Sequence, residues 1–292
     1  MEDPFDSVRI FAKPALLLCS LLVSASALMT YSRIHKNNHI MSTLLLFIVA
    51  CVLHSAVYFI YHFCILLHEK EIHTSPLFSA GFGWLYTLQM IPTFFIFISS
   101  YALALDRLLA VSVPLKYMAC DVSMRICALT ISLMVAVLVT LVLSNVFLPF
   151  DDENSRYGMD ESSFTYRLIT SMNTATDVGL TLEIALHLAF CVLFWRISKS
   201  QQRTRERADR VNQIMIVQAI SQTIFCWAPL IGMDVNSWFF DDNRMWARLF
   251  NRIYVFSYDV NTIILCLTVI LRLKPQKTAA PVKTISTVSR TK

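Results

Sequence analysis

Seven long apolar stretches account for most of this chain and constrain its fold more than any other feature. A helix needs about 20 mostly apolar residues to cross a bilayer. Residues 14–32, 40–67, 77–105, 126–149, 168–195, 211–233 and 248–271 form runs of that kind. Apolar types make up 56% of the 292 residues and charged types only 15%, against about 25% charged in a soluble domain. A soluble chain of this length would need a charged shell, and here the charges lie between the apolar runs instead. The expected fold class is an all-α membrane protein, a seven-transmembrane helix bundle over residues 1–271 followed by a polar tail, 272–292. No internal repeat, Gly/Ser linker or separate soluble domain interrupts it.

Lys and Arg near the ends of spans set orientation. One face collects Arg33 and Lys36, then Arg107, Lys116 and Arg125, then six residues from Arg196 to Arg210 and six from Arg272 to Lys292, leaving eight of the 25 for the other. This bias predicts the N-terminus outside and the C-terminus inside, which requires an odd number of spans. The first span is short, and Ala25-Ser26-Ala27 resembles a signal-peptidase site. The acidic leader (Glu2, Asp3, Asp6) and the odd number weigh against cleavage. The basic residues are not gathered on one domain, so nucleic-acid binding is excluded as a reading.

The eight cysteines have no metal-ligand spacing. Most lie inside apolar runs, where Cys behaves as a small hydrophobe. The loops 150–167 and 234–246 contain none, so an external disulfide is not expected. No Asn-x-Ser/Thr sequon occurs. The chain shows no catalytic or metal-binding pattern, and neither an enzyme nor a cofactor is expected: Gly-x-Ser-x-Gly and His-Glu-x-x-His are absent.

The third run ends in Leu-Asp-Arg-Leu-Leu-Ala-Val-Ser-Val-Pro-Leu-Lys-Tyr, residues 105–117. Charge at the edge of the hydrocarbon is costly and commonly functional. Asp106 can neutralise Arg107, whose planar fork also suits a bidentate carboxylate on another helix. The plainer alternative is an Arg that snorkels to anchor the helix end.

The combination resembles the rhodopsin-like G-protein-coupled receptors. Their Asp/Glu-Arg-Tyr and Pro-Leu-Arg/Lys-Tyr pattern matches at Asp106, Arg107, Ala110, Val111, Pro114, Leu115, Lys116 and Tyr117, with Leu108 in place of Tyr. The superfamily's Cys-Trp-x-Pro stands at Cys226-Trp227-Ala228-Pro229, where proline predicts a kink. Its Asn-Pro-x-x-Tyr region corresponds to Asn261-Thr262-Ile263-Ile264-Leu265, with Thr and Leu substituted. The first span lacks the usual Asn, the second the usual Asp, the fourth Trp and the fifth Pro. In overall look the chain is most similar to nematode serpentine chemoreceptors, class SX or class BC.

This resemblance implies a chemosensory receptor of the plasma membrane, multi-pass, with sensory cilia as a family-derived location. Its partners would be a heterotrimeric G protein, a small-molecule or peptide ligand, and membrane lipids. The switch residues would be Asp106, Arg107, Pro114, Tyr117, Asp209, Trp227, Pro229 and Asn261. Gln89, seventeen residues before Asp106, falls about 25 Å away along a helix, in the outer half of span three. With Asn173, Asp177, Asp234, Asn251 and Tyr254 it would line a polar ligand pocket, although helix–helix hydrogen bonding is the plainer role of each. Glu183 and His187, four apart, share a helix face and read as an internal pair; His54 and His62 read as packing residues. Glu183, His187 and Asp259 inside spans motivate the competing reading, a transporter or channel. The basic run 196–210 suits anionic lipid or a G protein. The hydroxyl-rich tail suits phosphorylation.

Overall fold

The computed structural model describes the backbone of residues 4–35, 42–69, 76–147, 164–200, 206–232 and 244–273, with some side chains near the helix ends outside the description. Every regular element among the described residues is helical: α1 Pro4–His35, α2 Ser42–Glu69, α3 Pro76–Ser112, α4 Pro114–Ala119, α5 Val122–Phe147, α6 Phe164–Ser200, α7 Glu206–Gln222 and α8 Arg244–Leu273. A π-helical turn, Thr223–Trp227, prolongs α7, and helix continues to residue 232. All but α4 carry a segment long and apolar enough to cross a membrane, namely Ala12–Arg33, Ser42–Leu66, Leu88–Ser112, Val122–Leu143, Val178–Ile197, Asn212–Gly232 and Phe256–Leu273. The seven-span expectation is therefore met. Several boundaries move: the apolar segments of the third, fifth and seventh spans begin at Leu88, Val178 and Phe256, and α3 does not stop near residue 105 but runs on to Ser112, so Asp106 and Arg107 lie within the helix.

Neighbouring helices alternate in direction. Thr43, at the start of α2, meets Asp106 late in α3, while Ser55 further along α2 meets Ser20 early in α1. The last helix closes on the first, as α8 packs against α1 and α7, and α1 against α2. Central α3 touches α2, α5, α6 and α7.

The distribution of side chains is that of a protein solvated by lipid. Polar groups such as Ser99, Ser100, Glu183, His187 and Gln218 are buried, whereas Leu129, Leu182, Leu188 and Leu271 are exposed on the outer surface. Water would penalise that apolar exterior, and hydrocarbon does not. Helix association in lipid has no hydrophobic drive and rests on close packing and interhelical hydrogen bonds. Packing is supplied by a core in the Arg107 half, where Tyr31, Phe47, Leu103, Phe190, Met215 and Leu265 are buried together. Hydroxyls inside spans are satisfied by the carbonyl one turn back, as with Thr30 on Ser26, Thr130 on Ile126 and Thr268 on Ile264.

Proline acts on α7 through the ladder. Pro229 has no N–H to donate. Just before it the bonds reach one residue further than in an α-helix, with the Ala228 N–H meeting the Thr223 carbonyl. The expected irregularity is thus a π turn, a feature that recurs at functional sites.

Candidate functional site

The end of α3 is redirected by local chemistry. Val113 leaves the helical region (φ −136, ψ 59), and Pro114 opens α4 at a position where a missing N–H costs nothing. α4 ends at Cys120, whose N–H meets the Lys116 carbonyl at 3.0 Å. Asp121 takes a left-handed φ of 47, a conformation Asp tolerates better than most residues. Its carbonyl then starts α5 by accepting the N–H groups of Met124 and Arg125. These two bends fold α4 back beneath α3 and carry Tyr117 to Asp106.

There Asp106, fully buried, becomes the hub of a cage. Its Oδ2 accepts from the Thr43 hydroxyl at 2.9 Å, from Arg107 Nε at 3.1 Å, and from Arg107 Nη2 in a shorter contact. Its Oδ1 accepts from the Tyr117 hydroxyl at 2.7 Å, and that hydroxyl in turn accepts from Arg107 Nη2 at 3.1 Å. Arg107 is only 8% exposed. Burial pushes the Tyr117 phenol up to about 12 despite the opposing Arg107 charge, so it remains a neutral donor at physiological pH. Ser123 of α5 bonds the same phenol, and Ser42 of α2 reaches Ser123 at 3.4 Å. The cage therefore joins α2, α3, α4 and α5. Both members of the ion pair stand on one helix, and the hydroxyls that tie it down come from others.

The remaining switch candidates separate. Pro114 sets the first turn of α4. Trp227 is half-buried in the π turn, and Pro229 is buried after it. Asn261 accepts the Ser221 hydroxyl at 2.5 Å, which couples α8 to α7. Asp209 belongs to α7, but its side chain lies outside the described residues, and the contacts described for Arg107 come from α3 and α4. Of the ligand-pocket candidates, Gln89 is buried in α3. The side chains of Asn173, Asp177, Asn251 and Tyr254, and all of Asp234, lie outside the described residues, so no pocket is assembled from them.

Two further polar stations were not anticipated as such. In the centre, Ser100 of α3 donates to Glu183 of α6, and Gln218 and Gln222 of α7 donate to Ser100 at 2.7 and 3.2 Å. Gln222 also donates to Glu183 at 2.8 Å, and His187 stands 3.4 Å from the same carboxylate. The expected Glu183–His187 pair is present, enlarged into a knot of three helices. The other station is an ion pair between Lys13 of α1 and Asp259 of α8, buried at 4% and 0% side-chain exposure, with Lys13 over the Phe256 ring at 5.3 Å. Lys13 reads in the sequence as a flanking charge; a lysine beside a long apolar run was its only signal. His54 packs against Tyr58 at 4.3 Å with the rings tilted by 31°, and His62 lies edge-on to Tyr61 at 5.4 Å, in the packing role expected of both. All eight cysteines are free thiols, and among the described residues no cluster of His, Cys, Asp and Glu could hold a metal ion.

The chain is a multi-pass helical membrane protein with a caged arginine at one end of its bundle and buried acids at the centre and the other end. No protein-family model matches it, and no curated protein matches its sequence.

Proposed function

We propose that this protein is a receptor of the rhodopsin-like G-protein-coupled kind, chemosensory in role, which couples an outside ligand to a heterotrimeric G protein. The observation that carries this reading is the Arg107 cage. The cation is held by Asp106 and by a hydroxyl from the following short helix, that of Tyr117 in α4, rather than left to solvent. A bundle rearrangement that withdraws Thr43 or Tyr117 loosens Asp106 and frees the guanidinium for a cytosolic acceptor, and the ligand shifts the balance between the two states. The resemblance at Asp106–Tyr117 and Cys226–Pro229 supports the same assignment. In this reading the N-terminus is outside, the Arg107 end faces the cytosol of a plasma-membrane receptor, and Asp209 latches Arg107 in the closed state. No catalytic activity is assigned to the chain.

The test is guanine-nucleotide exchange on Gα subunits with the receptor in lipid discs, screened against small odorants and peptides. An agonist should drive exchange in the wild type and fail in Arg107→Ala. Mapping residue 107 to the outer face of the cell would sink the assignment. Unchanged basal exchange in Asp209→Ala would remove the latch alone.

A transporter is the second reading, favoured by the buried Glu183–His187 pair, since acid–imidazole pairs inside spans recur in proton-coupled carriers. Substrate flux across a vesicle membrane without nucleotide exchange would select it.

A further inference from the structure

α4 carries no membrane-crossing segment, yet it joins two helices that do. The apolar segment of α3 ends at Ser112 and that of α5 starts at Val122. The residues between them, 113–121, are therefore tied at both ends to the edge of the hydrocarbon. The six residues of α4 span only about 9 Å, little more than the headgroup layer of about 5–7 Å on each side of a bilayer. The cage draws α4 closer still. Asp106 stands six residues before the end of the α3 segment, about 9 Å inside it. The hydroxyl of Tyr117, in the middle of α4, donates to its Oδ1 at 2.7 Å. The α4 backbone thus sits within one tyrosine side chain of a carboxylate that is itself inside the apolar zone.

With Tyr117 turned inward, the opposite side of α4 is fixed. At about 3.6 residues per turn, Leu115 points almost directly away from Tyr117. Met118, three residues on from Leu115, shares its side. Leu115 is 85% and Met118 73% exposed. This bare apolar surface continues onto Met124 and Leu129 of α5, which are exposed in the belt that meets hydrocarbon. The charge beside it is mainly positive. Lys116 of α4 and Arg125 in the first turn of α5 are both exposed, and Asp121 is the one exposed acid among the described side chains. Apolar side chains flanked by bases at headgroup depth are the pattern of a helix that lies in the interface with its cations on lipid phosphate.

We propose that the Leu115–Met118 side of α4 is a lipid-binding surface. The two apolar side chains enter the leaflet at the Arg107 end of the bundle, and Lys116 and Arg125 hold the headgroups of anionic phospholipid there.

Seated in that leaflet, α4 keeps the Tyr117 hydroxyl beneath Asp106 and in contact with Arg107. The cage is then anchored in the lipid as well as in the bundle, and the composition of the leaflet acts on it through α4. The inference rests on the membrane fold and not on the receptor reading, because a carrier with the same fold would have the same foot in the lipid.

Hydrogen exchange on the full chain in lipid discs tests it, with discs of phosphatidylcholine set against discs of phosphatidylglycerol. The Tyr117 and Cys120 amides donate to the Val113 and Lys116 carbonyls. Their protection should rise roughly fivefold in the anionic discs, the weight of about one basic residue at a charged leaflet. The rise should vanish when Lys116→Gln and Arg125→Gln are combined, since that protein meets the same leaflet without the cations. Equal protection in the two lipids overturns the proposal, as does a rise that the double variant keeps. Depth is read from Leu115→Trp, as the difference from wild-type emission, with bromine on the upper part of the lipid chains or acrylamide in the water as quencher. The added indole should be quenched by the brominated lipid and spared by acrylamide. The reverse overturns the proposal and marks this side of α4 as a surface for a soluble protein. If Leu115→Trp does not fold, Met118→Trp takes its place with the same two outcomes.

Discussion

Two buried ion pairs stand near opposite ends of this bundle and are built in opposite ways. Asp106 and Arg107 are adjacent in sequence and share one helix, so their attraction holds no two helices together. Four donor contacts converge on Asp106, and both its oxygens are engaged. Lys13 and Asp259 are 246 positions apart and connect the first helix to the last. Asp259 Oδ1 has no partner, and neither has the nearby His54 Nδ1. The local pair is a self-contained unit tied down by other helices' hydroxyls, suited to being released. The distant pair is a fastener, and it closes the ring of helices.

This contrast can be broken most sharply at the fastener. Removing one partner of a buried ion pair leaves an uncompensated charge and costs about 3–5 kcal/mol. Lys13→Ala should therefore lower the thermal midpoint in lipid discs more than any substitution in the Arg107 cage. Lys13→Met combined with Asp259→Leu should recover most of the loss. A Lys13→Ala protein as stable as the wild type would show that α1 and α8 are held by packing alone.

At the cage, on the receptor proposal, the expected effect falls on signalling before stability. Asp106→Asn keeps the shape and removes the charge that restrains Arg107. Basal nucleotide exchange should rise by roughly fivefold or more, the lower range of couplings between linked sites, and the thermal midpoint should fall, though less than in Lys13→Ala, because the Asn oxygen still accepts hydrogen bonds. A fall in basal exchange would instead make Asp106 part of the active arrangement.

Tyr117→Phe removes one hydroxyl that donates to Asp106 and accepts from Arg107. A hydrogen bond to a charged group contributes about 1.5–3 kcal/mol, so a smaller rise in basal exchange should accompany a modest loss of stability. The same phenol gives the smallest effect, a dependence on pH. Because burial raises it to about 12, its neutral form is favoured in the folded protein. That contribution is complete below about pH 10, its ordinary value, and fades as pH rises toward 12. A Tyr117→Phe protein should lack that alkaline component when thermal midpoints are compared across the range.

Much of the architecture was legible in the residue string because lipid imposes a one-dimensional rule. A span must be long, apolar and helical, since its backbone has nowhere else to hydrogen-bond. The seven runs obey it and the seven helices follow. Asp106 and Arg107 stood out because charge there is expensive, and Glu183 with His187 because four residues make one helical turn. Thr43, Ser100, Gln218 and Gln222 were not singled out. A hydroxyl or amide inside an apolar run is common, and nothing local says which neighbour it will meet. Lys13 and Asp259 were each visible and could not be paired.

The string of residues alone thus determined that this chain crosses a membrane seven times as helices and that a charged pair interrupts the third crossing. Tertiary structure decided which polar groups meet. The first and last helices share an ion pair, α7 is braced on an acid of α6 through Ser100, and Tyr117 turns back beneath Asp106. The physical reason is range. Backbone hydrogen bonding and hydropathy act within a segment and can be read along it, whereas the partner of a buried charge is fixed by how seven cylinders pack.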